Sequence, residues 1–259
     1  PRRLTALHVP SSCSMIKLFV TDIDGCLAEP YRPYDLEGLD VLRRHAKEDH
    51  GAAPALSICS GRSYPYVESM SQALDLTTPV LFEAGGGRFD PVAAQTTWSP
   101  HLTDEVEGKL HTVQQWFLTE CVPGTSVSID HAKRTQAGVV SPKVEEIRAL
   151  RPRTEQFVDE NAPGLHVFST EVSVDVVPPD ITKRKGIEWL AEHLDLTLDE
   201  IAYIGDADSD LDALRAVGVS FAPSNATDEV QAQVDHVTEG AVLEGTIEAY
   251  RWCRAQNEA

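Results

Sequence analysis

Residues 16–25 read IKLFVTDIDG: the almost continuously apolar run Ile16–Thr21 leads into Asp22-Ile23-Asp24-Gly25. A short apolar run without alternation predicts a strand buried on both faces, as in a parallel sheet. Two carboxylates two residues apart in the loop that ends it are costly together unless something cationic binds them. The same rhythm continues outward. Asp35–His50 places Leu36, Leu39, Leu42 and Ala46 at helical spacing and stops at Gly51. Ala55–Ser60 (ALSICS) reads as a second buried strand. Ser63 is the expected cap of a helix that has Pro65 in its first turn and runs to about Leu74. Val80–Phe82 is a third strand, ended by Glu83-Ala-Gly-Gly-Gly87. Strand, helix, strand, helix, strand predicts a right-handed parallel α/β sheet.

The pattern changes after Gly87. Thr125–Asp130 (TSVSID) and Glu171–Val177 (EVSVDVV) alternate apolar and polar residues, as strands with one wet face do. His111–Phe117 and Pro142–Leu150 read as helices, the second broken at Arg151-Pro-Arg153. After Pro178-Pro179 the α/β rhythm returns. Lys185–Leu194, Leu211–Val217, Thr227–Val234 and Gly245–Ala255 are predicted helices; Ile201–Ile204 and Val219–Phe221 are predicted strands. The expected organisation is a flexible leader over 1–14, a discontinuous Rossmann-like α/β core over 15–84 and 180–259, and an inserted α+β domain over 85–179.

The 259 residues are 42% hydrophobic, enough for a large single domain or two modest ones. Against 41 acidic residues stand 22 basic ones, a formal net charge of -19. That field disfavours nucleic acid and anionic membranes as partners. It also disfavours anionic substrates, unless a metal or local cations invert the sign at the site. An acidic, lysine-poor surface suits a salt-rich cytoplasm as well as it suits ordinary solubility. Cys13, Cys26, Cys59, Cys121 and Cys253 form no C-x-x-C pair, so neither a zinc site nor a disulfide framework is indicated. Reduced thiols and a cytoplasmic location are expected. No apolar run approaches transmembrane length.

Ligands of parallel α/β sheets bind beyond the carboxyl ends of the strands. Four polar clusters fall at such places: Asp22-Ile-Asp24-Gly25, Ser60-Gly61-Arg62, Thr182-Lys183-Arg184-Lys185 and Gly205-Asp206-Ala-Asp208-Ser-Asp210. The first could bind a hard dication, for which magnesium fits because it keeps positions open for phosphate and water. One carboxylate could then attack phosphorus while the other moves the proton. Taken alone, the D-x-D spacing is equally an Asx-turn cap or the metal loop of a glycosyltransferase. The second cluster offers a hydroxyl and amides before a helix, an N-cap turn or a phosphate cradle. The third offers a cation, or a solvated charge run. In the fourth, Asp206, Asp208, Asp210 and Asp212 alternate like a calcium loop. Such a loop needs Gly at its sixth position and Glu at its twelfth, where this chain has Leu211 and Val217.

These clusters, in this order, resemble the motifs of the haloacid dehalogenase superfamily from about Ile16 to the C-terminus. The resemblance implies that fold, with an inserted cap similar to that of the Cof-like sugar phosphatases. The nearest resemblance is to the archaeal-type phosphoglycolate and sucrose-phosphate phosphatases. It implies Asp22 as nucleophile, Asp24 as general acid/base and Asp206 as metal ligand with Asp210 as its outer partner. Ser60 is implied as the phosphate-binding hydroxyl. Asp180-Ile-Thr-Lys183 is similar to the third motif and favours Lys183 as the cation, with Lys185 as runner-up. The implied substrate-binding set is Gly25, Ser60, Gly61, Arg62 and Lys183; the implied metal set is Asp22, Asp24 through its carbonyl, Asp206 and Asp210, around Mg2+. The chain departs from the family at Cys26 (usually Thr), Ser209 (usually Asn) and Ala84 (often Asn). The expected activity is Mg-dependent hydrolysis of small phosphorylated metabolites. A phosphomutase or phosphotransferase, or a degenerate binding module, is the alternative. Lys133, Arg134, Lys143 and Arg148 in the insert either read a substrate anion or are surface charges. Monomer and homodimer both stay open.

Overall fold

The computed structural model describes residues 15–47 and 51–259. The leader expected over 1–14, Cys13 and the end of the first helix at 48–50 lie outside the described residues. In chain order the elements begin β1 (Leu18–Thr21), α1 (Leu36–Lys47), β2 (Ala55–Ile58), α2 (Tyr64–Ala73), β3 (Val80–Phe82), β4 (Gly87–Asp90), β5 (Gln95–Trp98) and α3 (Asp104–Trp116). They continue with β6 (Ser128–Ile129), β7 (Ala137–Val140), α4 (Val144–Asn161), β8 (His166–Ser169), β9 (Ser173–Val177) and α5 (Lys183–His193). The last are β10 (Ile201–Ile204), α6 (Leu211–Leu214), β11 (Val219–Ala222), α7 (Asp228–Gln231), β12 (His236–Val237) and α8 (Val242–Glu258).

Five strands form one parallel sheet in the order β12-β11-β10-β1-β2. Side chains of a strand alternate between the faces of its sheet. Phe19, Ala202 and Ile204 accordingly enter a core with Leu39, Leu42, Met70 and Tyr250 of α1, α2 and α8. Leu18, Val20, Ile201 and Tyr203 enter a second core with Ile187, Leu190, Leu214 and Val230 of α5, α6 and α7. Both faces are covered by helices, which is why β1 and β10 read as unbroken apolar runs. The chain leaves β1 toward β2 and returns toward β10, so the order reverses between β1 and β10. The crevice beyond their carboxyl ends is the topological switch point, where ligands of such sheets bind.

Three expectations need correction. Val80–Phe82 does not join the parallel sheet as a full strand. It meets it at one bridge, Cys59 to Leu81, and otherwise pairs antiparallel with β4 in the sheet β3-β4-β5. The glycines 85–87 turn the chain straight back and supply β4, which pairs with β3 along its whole length. Arg151-Pro-Arg153 does not break the helix, for α4 runs through Pro152. Ile147, Leu150, Thr154 and Val158 form a buried stripe at helical spacing on both sides of it, while Arg148 and Pro152 are exposed. The carbonyl that proline leaves unpaired four residues earlier therefore faces solvent. Ser63 is the N-cap residue of α2 but makes no side-chain cap bond.

A four-stranded antiparallel sheet, β6-β7-β9-β8, carries a third core with α3 and α4, including Leu110, Phe117, Ile147, Val158, Val174 and Val176. The β4–β5 hairpin packs elsewhere: Phe89 and Trp98 lie against Phe82 and Val80 in the first core. Residues 85–98, expected within the insert, thus pack with the α/β core. The third core begins at Leu102.

Candidate active site

β1 delivers Asp22 to the switch point because its last residue, Thr21, is in register with Ile58 of β2 and Ile204 of β10. The Asp22 amide donates to the Ile204 carbonyl at 3.1 Å, and its Oδ1 accepts from the Ile23 amide at 2.6 Å. Its Oδ2 accepts from Lys183 Nζ at 2.5 Å. The same ammonium donates to Asp210 Oδ1 at 2.6 Å. Asp22, Lys183 and Asp210 are all buried, with at most 5% of each residue exposed. A charge removed from water persists only when paired; here one cation serves two carboxylates that come from opposite ends of the chain.

Asp210 is fully engaged. Besides Lys183 it accepts from the Tyr203 hydroxyl, and its Oδ2 accepts from the Ala207 amide at 3.1 Å. Asp206 stands in front of it, partly buried. Asp22, Asp206 and Asp210 each place an oxygen within 4.8 Å of the others. Burial first, then the charges of Asp210 and Asp22, push the Asp206 carboxyl up to about 7. Burial likewise raises Asp22, against the pull of Lys183. An all-oxygen donor set in which Asp22 and Asp206 resist ionisation fits a hard divalent cation. Gly25 closes the cluster: it holds φ +71, and a Cβ there would lie 2.0 Å from Asp206 Oδ2.

Lys183 rather than Lys185 enters the cluster. Thr182 caps α5 by accepting from the Lys185 amide, which puts Lys183 at the first helical position, facing inward. Lys185 is two residues on and exposed. A cation at a helix N-terminus opposes the helix dipole, and the two carboxylates offset that cost. Gly85 and Gly186 let α5 approach: a Cβ on either would lie 2.6 Å from the other's Cα.

Ser60 is buried, and its hydroxyl oxygen accepts weakly from the Arg62 amide at 3.4 Å. Gly61 lies beside it before α2, with open space where a Cβ would stand. Arg62 makes a contact the sequence did not signal: Nε and Nη2 each donate to one oxygen of Asp24 at 2.6 Å. Asp208 and Asp212 point outward. Asp208 accepts from Thr227, and Asp212 pairs with Arg215 at 3.1 Å. The alternating aspartates therefore do not encircle one ion. In the insert, Arg134 is paired with Glu107 and Lys143 with Glu146, while Arg148 is exposed. Lys133 is sheltered between Asp130 and Asp175. The four described cysteines are buried.

Sequence reasoning missed three further groups. Tyr203, the one polar-tipped residue of the run Ile201–Ile204, holds Asp210. Asn225 donates from Nδ2 to the Gly25 carbonyl at 3.0 Å and accepts from the Val242 amide, tying the β11 end to the Asp22 loop. Glu83 is buried and receives three bonds from Arg134 and Thr135 of the insert. Its signal was an acid directly after the apolar run Val80–Phe82.

Residues 126–245 match the model of haloacid dehalogenase-like hydrolases. The match spans a little under half of the chain, which is similar to that superfamily over those residues. The protein is a phosphatase enzyme. A phosphoglycolate phosphatase of Natronomonas pharaonis is 25% identical over 235 residues, 91% of this chain and 96% of the relative. A Thermoplasma acidophilum protein of known structure has a TM-score of 0.71 at 22% identity, covering 93% of this chain and 99% of its own. The sucrose-phosphatase of Synechocystis, solved with sucrose and phosphate, has a TM-score of 0.65 at 17% identity, covering 93% and 98%. The two structural likenesses speak to the fold. Among the described residues no helix is long and apolar enough to cross a membrane.

Proposed function

We propose that the protein is a magnesium-dependent phosphomonoesterase for small phosphorylated metabolites of sugar phosphate or phosphoglycolate type, working in the cytoplasm through a phospho-aspartyl intermediate on Asp22. The observation that carries this reading is the buried Asp22–Lys183–Asp210 triad with Asp206 at its open side. Asp22, Asp206 and the backbone carbonyl of Asp24 would hold the ion, with Asp210 behind them. When bound, Mg2+ neutralises phosphoryl charge and aligns it with the nucleophile. The substrate phosphate sits against Lys183, Ser60 and the amides of Gly25 and Gly61.

A carboxylate oxygen of Asp22 attacks phosphorus, and the phosphorus–ester oxygen bond breaks. Asp24, which carries a proton in the reacting state while Arg62 stays bound to it, gives that proton to the departing alkoxide. It then takes a proton from the water that attacks the acyl phosphate, which frees inorganic phosphate and restores Asp22. We place the lid that covers this chemistry in the third core and its sheet, from about 100 to 178, pinned to the α/β core by Glu83.

The test is phosphate release from a panel containing phosphoglycolate, hexose phosphates and sucrose phosphate, with magnesium and with chelator. Release that requires magnesium is expected, and Asp22→Asn is expected to lose it while its melting temperature stays within a few degrees. Turnover retained by Asp22→Asn removes the nucleophile assignment.

A further inference from the structure

The loop that follows Asp24 carries an aromatic group with no part in the chemistry above. Tyr31 is 83% exposed yet holds φ +61, a backbone state that a bulky aromatic residue rarely adopts. Strain of this kind persists where the surroundings enforce it, and it concentrates at ligand clamps. The Arg62 guanidinium lies 5.4 Å from the Tyr31 ring centroid and 4.8 Å from that of Tyr66. Tyr34, itself 41% exposed, donates its hydroxyl to that of Tyr66 at 2.7 Å. Pro30 and Pro33, each directly before one of the two loop tyrosines, stiffen the loop. The stack is continuous with the site, because the same guanidinium grips both oxygens of Asp24.

We propose that Tyr31, Tyr34 and Tyr66 form the wall against which the leaving group lies, and that this wall selects phosphate esters of an uncharged, hydroxyl-bearing ring, a sugar phosphate, over those of a small carboxylate. The inference rests on the phosphatase reading, which places the departing oxygen within hydrogen-bond reach of Asp24. From there the leaving group must pass Arg62 and the rings stacked on it. A sugar presents C–H faces that pack on aromatic rings and hydroxyls that phenols can both donate to and accept from. A carboxylate needs an unspent cation. Arg62 is committed to Asp24, and Lys183 to Asp22 and Asp210. Lys133 is flanked by Asp130 and Asp175. Arg32, between the tyrosines, lines a separate groove with Ala241 and Glu244. Tyr31 is thus a specificity-determining residue supplied by the core loop.

The experiment compares wild type, Tyr31→Ala and Tyr31→Phe on glucose 6-phosphate, phosphoglycolate and acetyl phosphate, with magnesium. Tyr31→Ala is expected to lower kcat/KM for glucose 6-phosphate about tenfold, mostly through KM. Phosphoglycolate and acetyl phosphate should stay within about twofold. Tyr31→Phe keeps the stack and should retain about half or more of the wild-type value on the sugar ester. Tyr31 is exposed and outside every core, and unchanged acetyl phosphate turnover checks that the variant folds. A wild-type preference for phosphoglycolate, an equal loss on all three substrates, or no loss on the sugar ester overturns the inference alone. Absence of magnesium-dependent release from acetyl phosphate by the wild type overturns the phosphatase reading, and this inference with it.

Discussion

Replacing Lys183 by Met tests the electrostatic centre of the site while keeping its volume. The wild-type ammonium lies 2.5 Å from one carboxylate and 2.6 Å from another, with all three groups buried. Removing one partner of a buried pair costs about 3–5 kcal/mol, because it strands the other charge. Here two carboxylates are stranded, with Asp206 close by, so the upper half of that range is expected at pH 8. The exposed Lys185→Met should change stability by no more than about 0.5 kcal/mol. The loss should depend on pH. Burial already raises Asp22, and Lys183 is the strongest influence holding it down. Without the lysine Asp22 rises further. A folded carboxyl with a raised pKa binds more protons than its unfolded counterpart, so stability falls as pH climbs through the folded value. The deficit of Lys183→Met should therefore be small near pH 5 and largest at pH 8. Urea unfolding in chelator at both pH values reads it, through Trp98, Trp189 and Trp252, which pack against the two α/β cores. A deficit no larger than that of Lys185→Met, or one independent of pH, refutes the reasoning.

Three other perturbations follow from the same geometry. Gly25→Ala drives a methyl onto Asp206 and strains a left-handed residue, at about 1–3 kcal/mol for the backbone alone. The rise in melting temperature that magnesium gives the wild type should disappear, and its survival contradicts the cradle. Because Asp206 is held up to about 7, first by burial and then by its acidic neighbours, the metal-free fold retains a proton that the unfolded chain has lost. Metal-free stability should fall between pH 5 and 8, while the stabilisation by magnesium grows. Calorimetry in buffers of different ionisation enthalpy should detect proton release on binding near neutral pH, and none at pH 7 counts against the assignment. Pro152→Ala restores a donor inside an exposed stretch of α4. Helix propensity favours it by about 3 kcal/mol and unfolded-chain entropy returns up to about 1, so unfolding of the insert should become harder by about 2 kcal/mol. Hydrogen exchange in α4 that stays unchanged shows the helix already relaxed around the proline.

The sequence made the site legible to the extent that a parallel sheet gathers its strand ends. Asp22, Ser60 and Asp206 each follow a short apolar run, and three such runs in register bring their next residues to one crevice. Tyr203, Asn225, Glu83 and the Asp24–Arg62 pair were not legible, for each depends on segments that meet only after packing. Asn225 reaches a carbonyl 200 positions away. The Val80–Phe82 strand failed for a related reason: apolar character says a strand is buried but not which partner takes its hydrogen bonds, and the glycine turn decided that. The choice between Lys183 and Lys185 was open on motif grounds, yet α5 held the answer. Residues two apart on a helix point about 200° apart, so only one of the two lysines shares the buried face. That face is Lys183, Gly186, Ile187 and Leu190, an i, i+3, i+4, i+7 stripe with lysine at its head. A cation in phase with a helix's apolar stripe has to meet buried acids where the stripe ends. Among the described residues three acids are that buried, Asp22, Glu83 and Asp210; Glu83 is taken by Arg134 and Thr135, which leaves the two that flank the switch point.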